Sequence, residues 1–129
     1  MKRVGGRVTW LCEFDGRRAD LAACGNKRTT LRRCHTVAPG DTLRLSSGGD
    51  AGVFAEVTVR RVRPITIGIG TDKGCLSAWA ELNGAEMTRD GLDVLAVADG
   101  FEGAVDMLEW LAEHDKFFAG LYDGQLIEW

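Results

Sequence analysis

The residues best suited to chemistry lie in one short segment, Gly25-Asn26-Lys27-Arg28-Thr29-Thr30-Leu31-Arg32. A threonine hydroxyl becomes an effective nucleophile when a neighbouring base accepts its proton, and Lys27 can serve Thr30 in this way if its pKa is lowered. The like charges of Arg28 and Arg32, together with partial burial, would lower that pKa. The same composition also suits a solvated surface segment, so the pattern alone leaves a purely structural role open.

The secondary structure predicted before this segment shows its position in the fold. Residues 8–14 mix β-branched and aromatic types, which favours a strand. Asp15 is a suitable N-cap for a helix that runs through Cys24, and Gly25 supplies the usual stop. The reactive segment is therefore expected to follow a helix directly.

Residues 27–32 then enter extended chain. Side chains three positions apart on a strand point to opposite faces, so Lys27 and Thr30 can meet only across a turn or a bulge. In a regular strand the partner of Lys27 would be Thr29. Thr29 is therefore retained as an alternative nucleophile.

Strands are predicted to dominate the middle of the chain. Pro39-Gly40-Asp41 indicates a turn before a strand over residues 42–45. Residues 53–62 alternate apolar and polar side chains, as a half-buried strand does, and Pro64 is expected to end it. A further strand over residues 76–82 leads into the tight turn Asn83-Gly84.

Two helices and a hairpin are predicted in the remaining chain. Apolar residues have helical spacing around residues 92–96 and again over residues 102–114. Asp123-Gly124 lies between the apolar segments 117–122 and 125–129, which is a strong hairpin signal. Several short strands separated by turns favour a closed sheet, because closure removes exposed edges. The expected fold is α+β, a small β-barrel with peripheral helices, in a single domain over residues 1–129.

Charge is distributed unevenly along the 129 residues, whose formal net charge is −3. Residues 1–63 contain 13 Lys and Arg against 6 Asp and Glu, whereas residues 64–129 contain 3 against 13. The basic half predicts an anionic partner, such as nucleic acid. Opposite charges on the two halves also allow the halves to pack together, or copies of the chain to form a homo-oligomer.

Other classes of protein are disfavoured by the composition. The chain has no apolar stretch of about 20 residues and no signal peptide, which predicts a cytoplasmic protein without membrane association. The four cysteines are irregularly spaced, which predicts reduced thiols and no metal site. Gly68-Ile69-Gly70 with Lys73 lacks the Gly-Lys-Ser/Thr ending of a nucleotide-binding loop, and we expect no cofactor.

Three segments together resemble the ASCH family, a branch of the PUA-like small β-barrels. The first is Ala23-Cys24-Gly25-Asn26-Lys27-Arg28-Thr29-Thr30-Leu31-Arg32, the second is Val37-Ala38-Pro39-Gly40-Asp41-Thr42-Leu43-Arg44-Leu45, and the third is Asp99-Gly100-Phe101. They look like the family's helix, glycine, lysine and Thr-rich segment, its Gly-Asp turn before a barrel strand, and the position of its acidic residue. The resemblance covers nearly the whole chain.

The resemblance implies a cleft for a nucleobase derivative or for RNA. Some ASCH proteins are amidohydrolases that remove the acyl group of N4-acetylcytidine with a lysine, a threonine and a glutamate. Lys27 and Thr30 match the first two by position, and Asp99 stands where those relatives have glutamate. Substrate contacts would come from Arg28, Arg32, Arg33 and Phe101. The alternative is a noncatalytic module in which these arginines contact phosphates and Phe101 stacks on a base.

Overall fold

A computed structural model describes residues 7–72, 75–114 and 120–129. Within these ranges the chain is of the mixed α+β class, with eight strands in two sheets and three α-helices. The strands are β1 (Thr9–Glu13), β2 (Thr29–Arg32), β3 (Thr42–Ser46), β4 (Val53–Thr58), β5 (Arg61–Asp72), β6 (Cys75–Leu82), β7 (Ala85–Glu86) and β8 (Leu121–Glu128). The helices are α1 (Gly16–Ala23), α2 (Arg89–Ala98) and α3 (Ala104–His114).

The strands form a three-stranded and a five-stranded sheet. In the smaller sheet β3 pairs in parallel with β1 and antiparallel with β4. The larger sheet is antiparallel, in the order β2-β8-β5-β6-β7. The chain passes between the sheets after β4, where Arg60 N donates to Glu128 O over 2.8 Å. The strand predicted over residues 53–62 is therefore two strands, separated by Val59 and Arg60.

The predicted closed barrel differs from this arrangement. Within the described ranges no ladder joins β1, β3 or β4 to the five-stranded sheet, so the sheets do not close into a barrel. The two sheets meet through side chains instead, since Ile127 of β8 packs in the same apolar cluster as Leu43 and Leu45 of β3. Contact through a side-chain core leaves each sheet with its own edges.

Two apolar clusters form the core, and β8 contributes to both. One cluster lies between the five-stranded sheet and the helices α2 and α3 and includes Leu95, Met107 and Leu126. The other lies between the three-stranded sheet and α1 and includes Leu43 and Ile127. Leu126 and Ile127 enter different clusters because consecutive side chains of a strand point to opposite faces. β8 therefore separates the two clusters and contributes side chains to both.

The helix ends bring two predicted site residues into position. After α1 the backbone turns at Gly25, whose φ is +84°, and Lys27 N donates to Leu21 O over 3.0 Å. α2 ends with Asp99 as its C-cap, followed by Gly100 with φ of +96°. Both glycines occupy the left-handed region that favours glycine after a helix. No helix in the described ranges is both long enough and apolar enough to cross a membrane.

Pro64 does not end a strand, contrary to the prediction. It lies inside β5, where it pairs with Gln125 of β8. Its carbonyl accepts from Asn83 N over 2.8 Å at the turn that follows β6. In a strand the nitrogen and the carbonyl of one residue point to the same side, so the nitrogen of Pro64 also faces this turn and not β8. The missing N–H of Pro64 therefore leaves the hydrogen bonds between β5 and β8 intact. The predicted Asn83-Gly84 turn is confirmed, with φ of 54° and 81°.

The predicted hairpin at Asp123-Gly124 is also wrong, because β8 runs through both residues without a break. Gly124 pairs with Ile65 in the ladder between β8 and β5. A Cβ atom at Gly124 would lie 2.1 Å from the carbonyl oxygen of Arg32. The glycine is needed here for the close approach of two backbones, and not for a turn.

This contact predicts a large difference between two strand glycines. Gly124→Ala is expected to lower the free energy of unfolding by about 2–3 kcal/mol, because backbone has to move to admit the methyl group. Gly70→Ala is the matched control, since a Cβ atom there meets nothing within 4 Å. Urea denaturation of both variants measures the difference. Equal stability of the two proteins would contradict the close approach at Gly124.

Candidate functional site

A cleft of about 400 Å³ brings most of the predicted site residues together. It lies where β2 meets the start of α1 and the connection between α2 and α3. Six predicted residues line it: Lys27, Thr30, Arg32, Arg33, Asp99 and Phe101. Its volume falls within the range of pockets that enclose a small molecule.

Lys27 and Asp99 form a buried ion pair at the base of the cleft. Their exposed fractions are 1% and 5%. Lys27 Nζ donates to Asp99 Oδ1, to the Asp99 carbonyl oxygen over 2.9 Å and to the Thr29 carbonyl oxygen over 2.5 Å. The Asp99 carbonyl lies at the C-terminal end of α2, where the helix dipole favours a cation. The three ammonium hydrogens of Lys27 thus have three acceptors.

Burial narrows the difference in proton affinity between the two groups. Desolvation lowers the pKa of Lys27, and the like charges of Arg32 and Arg18 lower it further, while Asp99 opposes the shift. Desolvation raises the pKa of Asp99 against the opposing effect of the Lys27 charge. Moving one proton from Nζ to Oδ1 would neutralise both buried groups. The pair is therefore suited to storing and returning a proton.

Thr30 is held beside this pair by Arg32. Its hydroxyl is buried, at 3% exposure for the residue, and accepts a hydrogen bond from Arg32 Nε over 3.1 Å. Arg32 is itself anchored through a bond to the Glu13 carbonyl oxygen over 2.7 Å. Among the described residues, no hydrogen bond joins Lys27 Nζ to Thr30 Oγ1. Lys27 and Thr30 share the cleft, with Lys27 bonded to Asp99 and Thr30 bonded to Arg32.

The local backbone explains why Lys27 and Thr30 reach the same cleft. Lys27 precedes β2 and lies in the turn after α1, so the alternation of strand side chains does not apply to it. Thr30 and Thr29 both belong to β2 and point to opposite faces. Thr29 lines a separate cavity on the other face of the strand. Lys27 and Thr30 therefore both line the cleft, Lys27 from the turn before β2 and Thr30 from the strand itself.

Arginine side chains pack against aromatic rings around the cleft. The Arg18 guanidinium carbon lies 4.1 Å from the centre of the Phe101 ring and 4.4 Å from that of the Trp110 ring. Arg32 lies 5.2 Å from the centre of Phe14 in the same way. Such contacts hold planar guanidinium groups in fixed orientations. The cleft therefore presents ordered positive charge on an aromatic lining.

Sequence reasoning missed some of these residues and misplaced one. Arg28, predicted to contact substrate, is exposed and does not line the cleft. Arg18 and Trp110 line it but were not among the predicted substrate contacts, since they lie far apart in the chain and belong to no shared motif. Tyr122 also lines the cleft and was not predicted; the guanidinium carbon of Arg33 lies 4.9 Å from the centre of its ring. In the part of the chain that the structure describes, no group of three or more His, Cys, Asp or Glu is placed to hold a metal ion.

No protein-family model matches the chain, and no solved structure matches it significantly. Function must therefore be inferred from the chemistry of the cleft itself.

Proposed function

We propose that the protein is an amidohydrolase that removes the acyl group of N4-acetylcytidine or of a related acylated nucleoside. The observation that carries the proposal is the buried Lys27–Asp99 pair beside Thr30, at the base of a cleft of about 400 Å³. Titratable groups with shifted pKa values next to a hydroxyl in a cleft are the usual components of an activated nucleophile. The cleft volume is adequate for a nucleoside.

The proposal includes membership in the ASCH family and its PUA-like β-barrel fold. The order of helix, Lys-Thr segment, Gly-Asp turn and strand supports it. In this interpretation the two sheets correspond to the two halves of the family's barrel, although in the described residues they meet only through the side chains around Ile127 and do not close. A cytoplasmic location also belongs to the proposal, in keeping with the free thiols of Cys12, Cys24 and Cys34.

The reaction begins with a proton transfer inside the buried pair. Lys27 passes a proton to Asp99 Oδ1, which leaves a neutral amine beside the Thr30 hydroxyl. Nζ then accepts the Thr30 proton as Oγ1 forms a bond to the acyl carbon of the substrate. The negative charge of the tetrahedral intermediate develops on the acyl carbonyl oxygen, and the positive charge of Arg32, which is bonded to Oγ1 over 3.1 Å, stabilises it.

Collapse of the tetrahedral intermediate breaks the bond between the acyl carbon and the exocyclic nitrogen. Lys27 returns the proton to that nitrogen, cytidine leaves, and the acyl group remains as an ester on Thr30. Water then attacks the ester while Lys27 accepts a proton from it. The bond between the acyl carbon and Oγ1 breaks, Lys27 returns the proton to Oγ1, and the carboxylic acid is released. Phe101 is 6% exposed and packs against Arg18, so we expect the Arg18 guanidinium, with Arg33, to contact the nucleoside.

The test is release of cytidine from N4-acetylcytidine by the purified protein, measured across a range of pH. The proposed transfer requires the pair to hold one proton, so we expect release to rise with pH as Asp99 loses its own proton, with a midpoint above the ordinary aspartate pKa of 3.8, because desolvation raises the pKa of Asp99. Arg18→Gln removes one positive charge that lowers this pKa. The ascending part of the profile should therefore move to higher pH in that variant. Release without an ascending limb, or a shift to lower pH in Arg18→Gln, would show that the buried pair does not supply the base.

A noncatalytic nucleobase- or RNA-binding module is the second candidate. It is favoured by the full use of the Lys27 donors, which leaves the ammonium as a structural cation, and by the arginine–aromatic lining. Such a module would bind N4-acetylcytidine without releasing cytidine. RNA binding would weaken steeply with salt, because phosphate contacts release counterions. Arg28→Ala, outside the cleft, should weaken RNA binding while leaving nucleoside binding unchanged.

A further inference from the structure

A second cavity, of about 220 Å³, lies on the other face of β2 from the cleft, between the five-stranded sheet and α2. Its polar end is formed by Thr29, Arg63 and Glu128. Within the described residues, Thr29 Oγ1 and Arg63 Nε are the two buried side-chain polar atoms without a hydrogen-bond partner. Both residues line this one cavity.

Two unpaired polar atoms at one place point to a missing partner. A buried donor or acceptor without a partner is costly, and buried polar groups in folded proteins are almost always hydrogen-bonded. Arg63 Nε can only donate, so the missing partner must offer an acceptor. The Thr29 hydroxyl can also donate to an acceptor. A ligand in this cavity that carries oxygen acceptors would supply the missing partners.

The charge around the polar end favours an anion. Arg63 Nη2 donates to Glu128 Oε1 over 2.9 Å, and Arg61 also bonds the carboxylate of Glu128. Two guanidinium groups thus share one carboxylate, which leaves this end with a net positive charge. The contacts with the arginines lower the pKa of Glu128, so its carboxylate is negatively charged. The net positive charge given above already includes this negative charge.

The rest of the cavity is apolar. Met87, Leu95 and Leu126 line it together with the exposed Val94 of α2. An apolar cavity of about 150 Å³ can hold benzene, so the space here is adequate for a short hydrocarbon chain. We infer that the cavity binds a small monocarboxylate with a short apolar chain. The carboxylate accepts from Arg63 Nε and Thr29 Oγ1, and the chain lies against α2.

Hexanoate is a suitable probe, and binding can be followed through the amide signals of the ¹⁵N-labelled full-length protein. We expect saturable shifts at Thr29, Gly91 and Val94 at millimolar hexanoate. Binding of 1-hexanol or of hexylamine should be weaker than binding of hexanoate by about tenfold or more, since neither compound supplies an anionic acceptor. Equal binding of the three compounds would overturn the carboxylate site, and no saturable shift would mean that water alone occupies the cavity.

Thr29→Val distinguishes a binding role from a structural one. The substitution replaces an unpaired buried hydroxyl by a methyl group, so the midpoint of thermal unfolding should rise by a few degrees. Hexanoate affinity should nevertheless fall about tenfold. Thr30→Val, on the opposite face of β2, is the matched control and should bind hexanoate as the native protein does. Unchanged hexanoate affinity in Thr29→Val would also overturn the proposal.

Discussion

Thr30→Val is expected to reduce cytidine release from N4-acetylcytidine by about 10³-fold or more. Valine preserves the branched shape of threonine but has no hydroxyl, so no acyl–enzyme ester can form at this position. The buried Thr30 side chain is surrounded by the cleft and by β8, where valine fits the same volume. The loss should therefore appear in the rate of the chemical step while the protein stays folded.

Thr30→Ser is the matched control for this variant. Serine keeps the oxygen that accepts from Arg32 Nε, so it should retain a measurable part of the native rate. Thermal unfolding of both variants checks that each is folded at the assay temperature. Near-native release by Thr30→Val would exclude the hydroxyl as nucleophile, and would leave direct attack by water as the route to the same products.

Local sequence signals predicted the elements next to the site well. Asp15 caps α1 as expected, accepting from Arg18 N, and Gly25 ends that helix. These are short-range interactions within one or two turns, which is why the sequence carries them. The position of Lys27 after a helix, in a turn before a strand, followed from the same signals.

The partners within the site depend on the whole fold. Lys27 and Asp99 are brought together from distant parts of the chain, and only the resemblance to a known family suggested that they act together. Arg28 was predicted because it is next to Lys27 in sequence, but it is exposed and does not line the cleft. Arg18 reaches the cleft from α1 because Phe101 and Trp110 provide the rings on which it packs.

Gly124 shows a different limit of local signals. Asp-Gly is a common turn sequence, because glycine tolerates positive φ. The same absence of a Cβ atom also allows two backbones to approach closely, as the carbonyl of Arg32 approaches Gly124. The dipeptide is identical in both cases, and only the tertiary contact decides which property of glycine is used.

Replacing either member of the buried pair is expected to cost about 3–5 kcal/mol of unfolding free energy and to abolish cytidine release. Lys27→Met leaves the Asp99 carboxyl buried without a counter-charge, and Asp99→Asn leaves the ammonium of Lys27 in the same condition. The double variant removes both charges, so it should be more stable than the sum of the single losses predicts. Urea denaturation of the four proteins gives the coupling free energy between the two side chains.

The two single variants should respond to pH in opposite directions. In Lys27→Met the folded-state pKa of Asp99, raised by burial, lies further above its ordinary value of 3.8. The folded state then holds a proton that the unfolded state has lost, so stability falls as pH rises above about 3.8. In Asp99→Asn the folded-state pKa of Lys27 lies below its ordinary value of 10.5, so stability falls as pH decreases from that value.

These opposite slopes separate an electrostatic pair from simple packing. A loss of side-chain contacts alone would destabilise both variants by an amount that does not depend on pH. The double variant has neither titrating group and should show no slope from this site, which makes it the internal control. Parallel pH dependence in the two single variants, or additive losses in the double variant, would contradict a coupled proton pair. The proposed transfer from Lys27 to Asp99 would then lose its physical basis.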